Sequence, residues 1–375
     1  MKSISNLHSE FLRRQALVLA CVLIWPATSF AQKYQQTILV ANAEGLGATL
    51  VDPSLVDPWG IARGTTSPWW VSDRATGVST VYNAAATKQL LQVTIPNGSP
   101  TGVVFNGSTT DFFVTPGGNN PAHFIFVSLT GTISAWNAGP AAVVEVPGSP
   151  NSVLTGLTIA QIGEDRFLYA ADLKQGKIVV FDTNFKPVKV GKRSFDDEDD
   201  EHAFDDDSIP KGFAPFNVQN IGNNLYVAYA QQNPAKNFVN FGAGLGFVDV
   251  FSPRGRLLMR LEHGDWFNAP FGLVLAPTDF GSFSHKLIVG QFGSGELLAF
   301  DAITGRFEGK LRDQNNNLIV LPGLWGISFG AGQPSPQNSG PANALFFNAG
   351  INQGMGGLFG TLTPVPSDLT QGGDQ

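Results

Sequence analysis

One short pattern recurs six times along this chain. It reads Pro58-Trp59-Gly60-Ile61-Ala62, Pro100-Thr101-Gly102-Val103-Val104, Leu154-Thr155-Gly156-Leu157-Thr158, Pro215-Phe216-Asn217-Val218-Gln219, Pro270-Phe271-Gly272-Leu273-Val274 and Leu324-Trp325-Gly326-Ile327-Ser328. The third residues stand about 40–60 residues apart, the spacing of repeats that each carry several strands. A second and a third apolar run follow every copy, as at residues 69–72 and 78–83 or 167–171 and 177–182. The turn between those runs also repeats, as Asp73-Arg-Ala-Thr-Gly77, Asp172-Leu-Lys-Gln-Gly176 and Gln291-Phe-Gly-Ser-Gly295. Its closing glycine suits the positive φ of a tight hairpin.

Fourth apolar runs lie at residues 89–95, 142–146, 187–190, 257–261 and 307–311. The sixth repeat has none, because the chain turns to Pro364 and Pro366 after residues 357–363. A surplus run at residues 36–41 precedes the first repeat instead. Pairing it beside residues 357–363 closes a ring and leaves no seam between the ends. The expected fold is therefore all-β: one six-bladed β-propeller of four-stranded antiparallel blades over residues 32–366, closed by the N-terminal strand in the last blade. Forty-three Gly, 24 Pro and only 14% charged residues suit many short strands and turns.

Residues 1–31 read as a cleaved export signal. Arg13 and Arg14 precede the apolar run 16–25, and Ser29-Phe30-Ala31 fits a small-x-small cleavage site before Gln32. Cys21 is the single cysteine, so the remainder holds no disulfide, thiolate nucleophile or cysteine metal ligand. A secreted or periplasmic location and a monomeric state are expected. No later run approaches the length of a spanning helix. The sequence pI of about 5.2, with no basic stripe, argues against a nucleic-acid partner. Residues 367–375 form a polar tail.

Residues 196–207 (DDEDDEHAFDDD) carry nine of the chain's 30 acidic residues. Asp196, Asp197, Asp199, Asp200, Asp205 and Asp207 are candidates for a weak Ca²⁺ site, since hard cations take clustered carboxylates. The EF-hand template fails, because Glu201 stands where glycine is required. Like charges also read as a solvated loop. Gly326-Ile-Ser328-Phe-Gly330 matches G-x-S-x-G, but it sits within a repeated strand rather than a strand-to-helix elbow. His263 and Asp265 offer an acid/base pair or a local loop contact.

The strongest site candidate comes from the repeat. Residues opening each inner strand and the turns after each second strand share the channel mouth. That mouth should gather Trp59, Asp73, Asp172, Asn217, Gln291, Trp325 and Asn348 as a ligand-binding set. Asp73 and Asp172 also suit plain turn capping, and the tryptophans suit blade packing.

The blocks Val56-Asp-Pro-Trp-Gly-Ile-Ala62, Trp70-Val-Ser-Asp-Arg-Ala-Thr-Gly-Val-Ser-Thr-Val-Tyr82, Gly212-Phe-Ala-Pro-Phe-Asn-Val-Gln-Asn220, Gly246-Phe-Val-Asp-Val-Phe251 and Leu311-Arg-Asp313 resemble a family of exported bacterial β-propeller proteins. That family has no assigned activity and often ends in a Val-Pro-Glu-Pro-type sorting tail. This chain instead reads Thr363-Pro-Val-Pro366 and a polar end. More distantly, Tyr169-Ala-Ala-Asp172 with residues 176–182 is similar to NHL and gluconolactonase-type six-bladed propellers. The second resemblance implies a divalent metal at the channel mouth, for which Asp73, Asp172, Asn217 and Asn348 stand in place, although no Glu opens the first inner strand. The expected function is binding of a ligand or protein partner at the channel face. The alternatives are a metal-dependent lactonase or hydrolase at the same mouth, or a structural envelope component.

Overall fold

Six small sheets follow one another along the chain, and each opens with one copy of the pattern. The computed structural model describes residues 33–115, 118–191 and 203–365. The first sheet runs Pro58–Ala62, Trp69–Asp73, Val78–Tyr82 and Lys88–Thr94 in sequence order, all antiparallel. The second, third and fifth sheets repeat this order from Pro100–Phe105, Leu154–Ile162 and Pro270–Leu275. The fourth, from Phe213–Ile221, adds a short strand, Val239–Asn240, on its second strand. The protein is thus a six-bladed β-propeller, almost without helix.

Closure follows the expected route. Lys33–Ala41 pairs antiparallel with Leu358–Pro364 as the fourth strand of the last blade. Two short strands absent from the sequence reading, Leu50–Val51 and Arg312–Asp313, pair in parallel with it. Tyr34 anchors the closing strand from within, donating from its hydroxyl to the Phe280 carbonyl at 3.0 Å.

The cores lie between blades. Side chains alternate across each strand: Trp69 packs toward the last blade, against Phe346, and Trp70 toward the second, against Phe124. Six such clusters fill the six seams. A seventh, around Trp59, Phe216, Phe271 and Trp325, sits on the axis.

The third position of the pattern is small because inner strands nearly touch. A Cβ on Gly60 would lie 2.5 Å from the Thr101 carbonyl oxygen, and one on Gly326 2.7 Å from that of Trp59. The fourth blade carries Asn217 there, and its amide donates to the Phe271 carbonyl at 2.8 Å. Every inner strand also breaks register at its second or third pattern residue. A bulge re-aims a side chain, so the second-position residues converge on the axis.

Candidate functional site

Four of those second-position residues are aromatic, and they meet. Trp59 and Trp325 stack with centroids 3.6 Å apart, and Phe216 and Phe271 stand edge-on to both. The other two are threonines. Thr101 donates to the Val127 and Leu154 carbonyls, and Thr155 to that of Ala171. The ring of aromatics seals the axis. Below it, among the inner strands, the channel narrows to about 30 Å³, room for about one water.

Above the ring the structure opens into a cup of about 750 Å³. Its floor is Trp59 and Trp325. Its walls are Phe292, stacked on Trp325 at 4.0 Å, with Phe238 and Phe241 from the long loop of the fourth blade. Phe241 is 60% exposed. Leu129, Pro322 and Ile351 complete the apolar lining. Five of the six blades contribute residues.

One repeated backbone bond builds this face. A residue at or just past the end of each second strand donates its N–H to the residue before the inner strand. The pairs are Arg74–Asp57, Leu129–Ser99, Leu173–Val153, Gln232–Gly212, Phe292–Ala269 and Gly350–Gly323. Asp57, Ser99 and Ala269 take positive φ to allow it. Arg74, Leu129, Phe292 and Gly350 thereby line the cup.

The cup has one charged element on its wall. The Asp57 carboxylate, 4% exposed, accepts both floor indoles: Trp59 Nε1 at 2.9 Å and Trp325 Nε1 at 3.2 Å. Arg74 Nε closes the set as an ion pair. The chain from Gly350 to Gly354 wraps closely around Asp57. A Cβ on Gly350 would fall 1.9 Å from Asp57 Oδ1. On that loop Asn352 and Gln353 sit exposed at the rim, both in left-handed conformation with φ 53° and 58°. Each such residue costs about 1–2 kcal/mol, and strain of this kind gathers at ligand clamps.

The sequence-derived set divides. Trp59 and Trp325 form the cup floor. Asp73 is fully buried and accepts the Thr80 N–H and hydroxyl through Oδ2, while Oδ1 meets no partner among the described residues. Burial holds its carboxyl well above the usual range, against the pull of Thr80. Asp172 accepts from Ser152, the Val153 N–H and Gln175, capping its turn. Gln291 accepts the Asn268 N–H, and Asn348 donates to the Gly60 carbonyl at 2.9 Å. Asn217 bridges to Phe271 beside the narrow channel. These five side chains knit blades and turns; none of them lines the cup. Of the Ca²⁺ candidates, Asp196, Asp197, Asp199 and Asp200 lie outside the described residues, and Asp205 and Asp207 lie within them. Among the described residues, no three His, Cys, Asp or Glu cluster so as to hold a metal.

His263 stacks on Phe247 at 4.4 Å and meets the Gly244 carbonyl, which makes it a packing residue of the fourth blade. Ser328 lies within the strand Leu324–Phe329, and the loop beyond it holds a single helical turn, Pro336–Ser339. Among the described residues no helix is long and apolar enough to cross a membrane.

Fold and cup define a closed propeller with an aromatic ligand-sized recess on its axis. The chain belongs to the family of the uncharacterised protein R648 of Acanthamoeba polyphaga mimivirus, with 30% identity over 339 residues, 86% of this chain and 78% of that protein. A second mimivirus protein, L690, is 28% identical across 86% of this chain and 84% of its own length. These relatives are viral rather than bacterial proteins. No protein-family model matches the chain. Among solved structures, a virginiamycin B lyase from Staphylococcus aureus crystallised with quinupristin covers 89% of this chain and 99% of its own, at 11% identity and TM-score 0.48. The WD40 propeller domain of Doa1 covers 83% and 80%, at 10% identity and TM-score 0.49.

Proposed function

We propose that the protein binds an apolar ligand of small-molecule size in the axial cup. The observation that carries this is the cup itself, about 750 Å³, walled by five aromatic side chains with a single ion pair. Ligand sites typically enclose about 300–1,000 Å³ and combine apolar walls with few placed polar groups. Phe241, 60% exposed, stands against Phe292 at 6.1 Å between centroids, so its ring adds to one apolar surface facing this recess. Of the side chains that a lactonase-type metal site would draw on, Asp172 and Asn217 are bonded within the blades, while Asp73 Oδ1 and Asn348 Oδ1 meet no partner among the described residues and none of the four lines the cup.

The test is titration with a neutral fluorescent aromatic, 1-aminoanthracene, followed by its own emission and by quenching of the floor tryptophans. One saturable site per chain is expected, weakened about tenfold in Phe292→Ala through lost stacking and burial. Chelation of divalent cations should leave the affinity unchanged. Absence of saturable binding, or binding by both Phe292→Ala and Phe241→Ala as tight as by the intact protein, would sink the proposal.

We propose also that residues 1–31 direct export and that the protein works outside the cytoplasm. The basic-then-apolar order of residues 13–25 and the cysteine-free remainder support this. Cell fractionation with N-terminal sequencing should find a chain beginning at Gln32.

A further inference from the structure

The cup's one cation is only half used. Arg74 gives Nε to Asp57, and among the described residues no acceptor meets its two terminal amino groups. Its side chain is 28% exposed, against 5% for Asp57. A guanidinium has two forked edges, one through Nε and one through the paired terminal nitrogens. Asp57 takes the first through Nε and also accepts the two indoles. The second edge is left to the cup.

Arg74 is also tied to Asp57 through its backbone. Its backbone N–H donates to the Asp57 carbonyl at 3.1 Å, and a Cβ on Gly354 would lie 3.1 Å from one of its terminal nitrogens. The aromatic walls stand around it, so an acceptor meeting this fork would be joined to an apolar body against Phe292 and Phe238. A carboxylate matches a free guanidinium edge with two parallel hydrogen bonds.

Building on the cup as a binding site, we infer that its ligand is an apolar, aromatic-bodied carboxylate whose anionic end is held by the terminal amino groups of Arg74. The apolar body rests on Trp325 and Phe292. The exposed amides of Asn352 and Gln353 at the rim can serve further polar groups on the same molecule.

The experiment compares 2-naphthylacetate with 2-naphthylacetamide, which share one body and differ in charge. In the intact protein the acid should bind about tenfold tighter than the amide, as a bidentate charged pair gives. In Arg74→Gln the ratio should fall to about one. Arg74→Lys keeps a point charge beside Asp57 but lacks the fork, so it should retain only part of the preference. It also decides the matter if Arg74→Gln does not fold. Equal binding of acid and amide by the intact protein, or an undiminished preference in Arg74→Lys, overturns this inference. If both compounds bind equally and Phe292→Ala weakens both, the cup is still a binding site and only its ligand class is wrong. If neither binds while 1-aminoanthracene does, this inference is overturned and the cup stands; if none of the three binds, the cup itself fails as the site.

Discussion

Trp59 of the first blade and Trp325 of the last stack with ring centroids 3.6 Å apart and planes 21° from parallel, and both indole N–H groups donate to the one carboxylate of Asp57. The two residues are 266 positions apart in the chain but adjacent in the ring, so this contact ties the closing seam at the axis. The same contact forms the floor of the cup. The closing seam and the shape of the cup floor therefore rest on the same residues.

Asp57→Ala should accordingly cost more than a surface ion pair. It leaves two indole donors and one guanidinium edge without their acceptor in a buried place. The guanidinium, 28% exposed, can turn to water, but each buried indole donor left unpaired costs about 1–3 kcal/mol. Equilibrium urea unfolding followed by tryptophan emission would measure it. A loss under about 0.5 kcal/mol, the range of ordinary surface substitutions, would show that the indoles hold their stack without Asp57.

The inner-strand glycines make a second prediction. Gly60 faces the Thr101 carbonyl at 2.5 Å and the Val103 N at 2.8 Å from where a Cβ would stand. Both neighbours are backbone, so neither can swing aside. Gly60→Ala should lower stability by about 1–3 kcal/mol through overpacking, read as a lower urea midpoint with unchanged slope. A neutral result would mean that adjacent inner strands have slack to separate.

Blade number, strand order and closure were all legible in the sequence, because strand alternation and turn glycines recur in register and each repeat reinforces the others. Closure by the run at 36–41 could be read because the last repeat lacked a fourth strand. The cup was legible only in part. Trp59 and Trp325 could be placed on the axis from the pattern's second position. The polar residues ending the second strands, Asp73, Asp172 and Gln291, drew attention as the expected lining. In the structure the following residue, Arg74, Leu173 or Phe292, faces the axis, because neighbouring side chains in extended chain point opposite ways. Phe238 and Phe241 sit in an irregular loop of the fourth blade that no other repeat echoes, so periodicity carried no signal for them. Arg74 lay inside a turn signature and read as turn chemistry.

Removal of residues 33–41 tests the closure. It strips Leu358–Pro364 of one of its two antiparallel neighbours and withdraws Tyr34, Val40 and Ala41 from the core. An open strand edge is a template for pairing with other chains. The shortened protein should appear as dimers or aggregates by size-exclusion chromatography, with earlier thermal unfolding. A stable monomer melting as the intact chain does would show that the last blade stands without its fourth strand.

The seam between the third and fourth blades should make stability depend on pH with an unusual sign. Asp249 is fully buried there, beside Tyr229, and shares Arg260 with Asp206. Burial is the largest influence and pushes Asp249 up to about 6, from an ordinary 3.8, although Arg260 pulls the other way. A carboxyl raised on folding holds its proton more tightly in the native state. Its contribution is therefore fully present below the unfolded value and is lost as pH rises through the folded one. A gap of this size corresponds to at most about 3 kcal/mol. Other carboxylates act oppositely: Asp206, held down by Ser208 and Arg260, and Asp52, held down by Lys88 and Tyr82, both favour the folded state at higher pH. The comparison with Asp249→Asn isolates the one group, because the amide does not titrate. Urea unfolding of both proteins from pH 4 to pH 8 should show the intact protein losing stability relative to the variant between about pH 4 and pH 6.5, then running parallel to it. If the intact protein instead gains on the variant as pH rises, the pairing with Arg260 outweighs burial and Asp249 is ionised throughout.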